Sequence, residues 1–461
     1  MYAARMARAH SWLACIVTLA CAPKPADTET DGESVSGPGT TSDTSPTTDD
    51  GPPSSTSTDS TTGDPPGPTT SAASTTTDTS DGTTTLTSST TGDTTTSDST
   101  TGDTTTTGES AVDCGPPCPE ALEFEGNVEI GPGDSTEFMA CVTRVTGSIH
   151  ITGDLTVAQL AGFANLVTAS ALQLDSNAVL TDLSPLACVE DLFSLRIEDT
   201  PALTDMSALA NLKRLVTLDI FATGITSLPT FAPDYEGIEE LHVVGNPALV
   251  DVDALATLKY SGITALEVLL ADNATLADLS PSAALFAQAG PDMTLRLRSL
   301  PELASLAGLE TIAAAGLLSL RDLPQVPDLA QLAALEQVHT LQVSGLPQVT
   351  DLHGLEQLKL VDVNLAIGDC SQTGFRMDGL TSLAGLDALT SARFLVVTNS
   401  PGLTSLDGLG SVQELVKSLQ FIDTQVTPAQ VDGWVQQQLN APPEQLCVGD
   451  WDDCPCIPQV D

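Results

Sequence analysis

Residues able to do chemistry are sparse, and few are arranged for catalysis. Beyond residue 21 the histidines are His150, His242, His339 and His353, none at a metal-ligand spacing from another. The chain has no G-x-S-x-G elbow and no phosphate-cradling glycine loop. Asp or Ser recurs as a column at Asp182, Asp205, Asp251, Ser305, Asp328, Asp351 and Ser405. Such a column could bind calcium. Each member, however, stands just ahead of a Leu-x-x-Leu turn, where a side-chain oxygen can accept free backbone N–H groups. Ser caps well and ligates calcium poorly, so capping is the expected role. Arg296 and Arg298 stand two apart and Arg321 follows 23 residues later. Guanidinium forks suit bidentate contact with carboxylates. These residues point to binding without catalysis, cofactor or metal.

Charge narrows the partners. The chain of 461 residues has 15 Lys+Arg against 61 Asp+Glu, a net charge of -46. Residues 114–461 hold 12 of the basic and 45 of the acidic groups. Nucleic-acid binding needs a basic footprint and is excluded. Ten cysteines suit an oxidising compartment.

What positions these groups is a chain of three textures. Residues 1–20 form a targeting segment, with Arg5 and Arg8 ahead of the apolar stretch Trp12 to Ala20. It ends in Thr18-Leu19-Ala20-Cys21, which resembles a bacterial lipoprotein signal. The resemblance implies lipidation of Cys21 and, without Asp in second place, the outer membrane; ordinary secretion after Ala20 is the alternative. Residues 21–113 are a stalk, almost pure Thr, Ser, Asp, Gly and Pro from residue 26 onward, with no aromatic and no cation there. Such a tract buries too little apolar area to offset its ordering entropy and is expected to be a long disordered tether.

From Cys141 the chain repeats. An apolar pair recurs at Ile149/Ile151, Leu172/Leu174, Leu195/Ile197, Leu218/Ile220, Leu241/Val243, Leu266/Val268, Leu295/Leu297, Leu318/Leu320, Leu341/Val343, Leu365/Ile367, Leu395/Val397 and Leu419/Phe421. Each pair has the period of a short strand; the apolar steps of three that follow, as in Leu180, Leu183 and Leu186, fit a 3₁₀ turn. No unit can bury its stripe alone, so the units must stack. Ile238-x-x-Leu241-x-Val243-x-x-Asn246-x-x-Leu249 resembles the leucine-rich repeat, and the opening Cys141 to Ile151 resembles a receptor L domain. The resemblance implies an α/β solenoid, a right-handed stack of about twelve coils with one short parallel strand each. A β-helix with three strands per coil, the frame of some polysaccharide-degrading enzymes, is the rival.

The expected boundaries are a Cys-containing cap over 114–140, repeats over 141–426, and a capping helix with a Cys-rich tail over 427–461. Receptor L domains bridge the first coil's cysteine to one upstream, which implies Cys141 with Cys118 or Cys114. Locally, Cys447 has Cys454 and Cys456 as partners. Between the core pairs, His150, Arg196, His242, Arg296 and Gln342 project outward as candidate binding residues, with Arg298 and Arg321 side by side on neighbouring coils. Leu241 is expected to be inward, and His242 to be replaceable at little cost. The expected protein is a cell-surface lipoprotein that binds a protein or glycan. A polysaccharide-degrading enzyme and a passive envelope protein are the alternatives.

Overall fold

The structure, a computed structural model, describes residues 115–370 and 375–454, all within one unit spanning 102–461. The expected signal segment, Cys21, the stalk, Cys114 and Cys456 lie outside the described residues. One parallel sheet of 16 strands runs through the fold. It opens with β1 (Leu122–Phe124), β2 (Val128–Ile130), β3 (Val142–Val145) and β4 (Ser148–Thr152). From β5 (Thr168–Asp175) each coil adds one strand beside the last. This is the leucine-rich-repeat solenoid, and it replaces the three-strand β-helix.

The recurring pairs form its inner rungs. Leu172 opposes Leu195, which opposes Leu218, which opposes Leu241, and all four are buried. The turns behind the strands bury the leucines spaced by three, such as Leu180, Leu183 and Leu186. Two further rungs extend the stack. Val128 and Ile130 of β2 oppose Ile149 and Ile151, and Leu446 and Val448 of β16 (Gln445–Gly449) oppose Leu419 and Phe421.

One coil departs from the expected register. β9 (Glu267–Ala271) pairs Val268 with Leu241 and Leu270 with Val243. The rung is therefore Val268/Leu270, not Leu266/Val268. Leu266 is buried too, which is why the sequence Leu-Glu-Val-Leu-Leu supports either choice. The deciding mark is Asn273, which stands three residues after the rung, as Asn177 and Asn246 do in their coils.

Each coil leaves its strand through a left-handed residue. Ser176, Asp199, Ala222, Asp272, Ser299, Asp322, Asn399 and Asp423 have φ between 48° and 56°, and Gly153, Gly245 and Gly345 take the same place. Asn, Asp and Gly tolerate this region; a plain alanine costs roughly 1 kcal/mol or more there. The next position is buried and polar where a side chain can serve neighbouring backbone. Asn246 Oδ1 accepts from Thr223 N at 2.9 Å, and its own N–H donates to Asn273 Oδ1 at 3.0 Å. Thr223, Asn246 and Asn273 thus form a short ladder. Leu300, Leu323 and Leu346 fill that place in later coils with apolar bulk.

The Asp/Ser column caps the turns behind. Asp182, Asp205, Asp251, Ser305, Asp328, Asp351 and Ser405 each accept the N–H two residues on, at 2.7 to 3.1 Å. Asp278 and Ser382 do the same in coils where the sequence reading names no cap. At the far end a helix, α1 (Pro428–Gln438), is capped by Thr427, in a capping box with Gln430. Trp434 packs on the last coil and donates from Nε1 to Leu409 O at 3.3 Å. Cys118 bridges Cys141 and Cys447 bridges Cys454; Cys188 and Cys370 are also disulfide-bonded.

Two substitutions separate core from turn. Leu241→Ala should cost about 2–5 kcal/mol through lost burial and a cavity. Ala222→Gly should stabilise by about 1 kcal/mol by relieving the left-handed strain. Urea-unfolding midpoints of the two variants should move in opposite directions.

Candidate binding face

The sheet's outward face carries the candidate residues, one strand apart. In the middle row Glu129, His150, Gln173, Arg196, Asp219 and His242 follow one another in register. The row continues through Leu269, Arg296, Ser319 and Gln342. Neighbouring strands lie ~4.8 Å apart, so side chains at matching positions must touch. Like charges would repel there, and the middle row alternates them from Arg196 through Asp219 to His242.

The result is a ladder of ion pairs across five strands, from β6 (Asp191–Thr200) to β10 (Thr294–Arg298). Arg196 donates to Glu198, with Nε at 3.0 Å from the carboxylate, and its Nη1 lies 3.6 Å from Asp219. Its guanidinium also sits over the Phe221 ring, 4.7 Å from the centroid. Asp219 meets His242 Nδ1 at 2.8 Å, and His242 Nε2 lies 3.8 Å from Glu267. Glu267 then accepts from Arg296 at 2.7 Å. Signs alternate from Glu198 to Arg296.

His242 corrects an expectation. It points away from the core as expected, yet it is only 4% exposed, enclosed by its neighbours on the face. Burial works to lower its pKa, but the hydrogen bonds and charges of Asp219 and Glu267 outweigh it, and the imidazole is pushed up to about 9. The bond to His242, with help from Arg296, holds the Glu267 carboxyl below its ordinary value despite burial. His242 is therefore a cation in neutral solution, and removing it takes one of two cationic partners from Asp219 and from Glu267. Gln342 and Ser319 are also buried on this face, with Ser319 Oγ donating to Gln342 Oε1 at 3.0 Å.

The three arginines divide. Arg298 and Arg321 are register partners, as expected. Arg296 is taken by Glu267. Arg321 pairs with Asp369 at 2.6 Å and lies over the Phe375 ring, 5.4 Å from its centroid. The sequence reading missed both partners, because they belong to a loop two coils further on. Arg298 stays exposed. His150, at the N-terminal end, meets Glu129 at 3.1 Å. Beside the ladder runs the row Glu198, Phe221, Val244, Ala271, Arg298, Arg321. Its middle is apolar, and Leu269 adjoins it. Among the described residues no cluster of three or more His, Cys, Asp or Glu could hold a metal ion.

Two solved structures share features of this chain. An internalin from Listeria monocytogenes is 15% identical over 67% of this chain and 81% of its own, with a TM-score of 0.32. A leucine-rich-repeat protein of Leptospira interrogans is 15% identical over 68% and 87%, with a TM-score of 0.36. No family model and no curated protein matches. The fold assignment rests on strand register and burial.

The ladder has a pH signature. Because the folded pKa of His242 lies above its unfolded value of about 6.5, its stabilisation is full below pH 6.5 and is lost as pH rises through about 9. The urea midpoint should fall across that window in the wild type and stay flat in His242→Gln. His242→Ala at pH 7 should cost about 1.5–3 kcal/mol, because Asp219 and Glu267 each lose one charged partner while keeping Arg196 and Arg296.

Proposed function

We propose that the chain is an exported lipoprotein, anchored through Cys21, whose solenoid binds a protein or glycan partner on the outward sheet face without catalysing a reaction. The observation that carries this reading is the character of the face from β7 (Thr217–Thr223) to β10. Four of its charged side chains, Asp219, His242, Glu267 and Arg296, are held in a ladder of pairs, which pre-orders that part of the surface. Beside that ladder lies apolar area the core does not use. Rigid, half-apolar surfaces with fixed polar groups lose little entropy on association. Residues 21–113 serve as the stalk between that anchor and the solenoid. Among the described residues no helix is long and apolar enough to cross a membrane.

Two experiments test the two halves. Cys21→Ala should move the protein from the membrane to the soluble fraction; retention in the membrane contradicts the anchor. Soluble protein should bind intact cells, and Leu269→Arg on the face should abolish that binding. Asp253→Asn, on an exposed turn behind the sheet, should leave it unchanged. Equal loss in both variants would remove the face from the account.

A further inference from the structure

One cation on this face is not used by the fold. Of the twelve Lys and Arg among the described residues, nine pair with carboxylates. Lys259 donates to Pro233 O at 2.9 Å, and Arg393 lies over the Phe394 ring. Arg298 is left, its side chain exposed and without an ion pair, hydrogen bond or ring contact among the described residues. This happens in a chain whose carboxylates outnumber its cations fourfold, 61 to 15.

The surroundings of Arg298 are asymmetric. On one side stands Arg321, whose charge Asp369 already answers. On the other side the same row runs Ala271, Val244, Phe221, away from the free guanidinium. Phe221, Val244 and Leu269 are half-buried, and Ala271 is buried between them. Three strand spacings separate Phe221 from Arg298, about 14 Å. The surface is open. Neither the cavity of about 590 Å³ beside Asp182 and Asp205 nor that of about 180 Å³ beside Phe231 and Tyr235 is lined by these residues.

Resting on the reading of this face as the binding surface, the geometry points to one occupant: a peptide segment of a partner protein, apolar across Phe221, Val244 and Leu269, with a single carboxylate on Arg298. An open strip does not enclose an acyl chain. The fork of Arg298 suits a carboxylate bidentately. A multiply charged anion would be repelled by the excess of 45 acidic over 12 basic groups in residues 114–461. The occupant is therefore a mostly apolar segment with one acid.

The test is a random dodecapeptide phage library panned on the full chain, on Arg298→Gln and on Val244→Gln. Arg298 and Val244 are surface positions, and circular dichroism confirms that each variant is folded. Wild-type panning should enrich clones with an apolar cluster and one Asp or Glu, and those clones should bind Arg298→Gln about tenfold or more weakly. Clones lost on Val244→Gln but retained by Arg298→Gln would overturn the carboxylate contact and leave the face as the binding surface. Clones indifferent to both would overturn the face as well. A glycan array on the same proteins covers the other occupant: capture of a glycan sensitive to Arg298→Gln, with no acidic apolar peptide enriched, would overturn the proposal.

Discussion

Everything in this molecule follows from the spacing of parallel strands. Once coils stack at ~4.8 Å, the residue at each rung position meets its counterparts above and below, inside and outside alike. Inside, that contact is leucine on leucine, and the stack closes around an unbroken apolar column. Outside, the same contact brings charged side chains together whether or not their sequence separation is large. Glu198, Arg196, Asp219, His242, Glu267 and Arg296 come from strands β6 to β10, yet they form one alternating array. The ladder is the outer consequence of the inner register.

This dependence explains which parts were legible in the sequence. The apolar pairs declare themselves by period, because a one-residue slip would turn a whole rung to solvent. The capping column is also local, since each oxygen serves an N–H two residues away. Coil six was misread because Leu266, Val268 and Leu270 are all buried and two registers satisfy the apolar pattern. Only the buried asparagine resolves it, through hydrogen bonds to the preceding coil.

The face was legible in direction and illegible in burial. Period two places His242 opposite Leu241 and Val243 correctly, but says nothing of how closely Asp219 and Glu267 will enclose it. That requires the registers of two neighbouring coils, one of which was shifted. The partner of Arg321 was hidden for a related reason: Asp369 is 48 residues away. Arg298 differs from both in that its side chain has no answering group among the described residues, which sequence alone cannot reveal. Charge pairing is thus a third-level property, dependent on a register that depends on the core.

The most direct test of this account is a double-mutant cycle between Asp219→Asn and His242→Gln, read by urea unfolding at pH 7. The residues are 23 apart in sequence and meet only if the coils stack in the register described. The account predicts a coupling of about 1 kcal/mol or more at pH 7 that weakens above pH 9, where the imidazole loses its charge. Additive effects, within about 0.3–0.5 kcal/mol at both pH values, would contradict it and with it the ordering of the outward face.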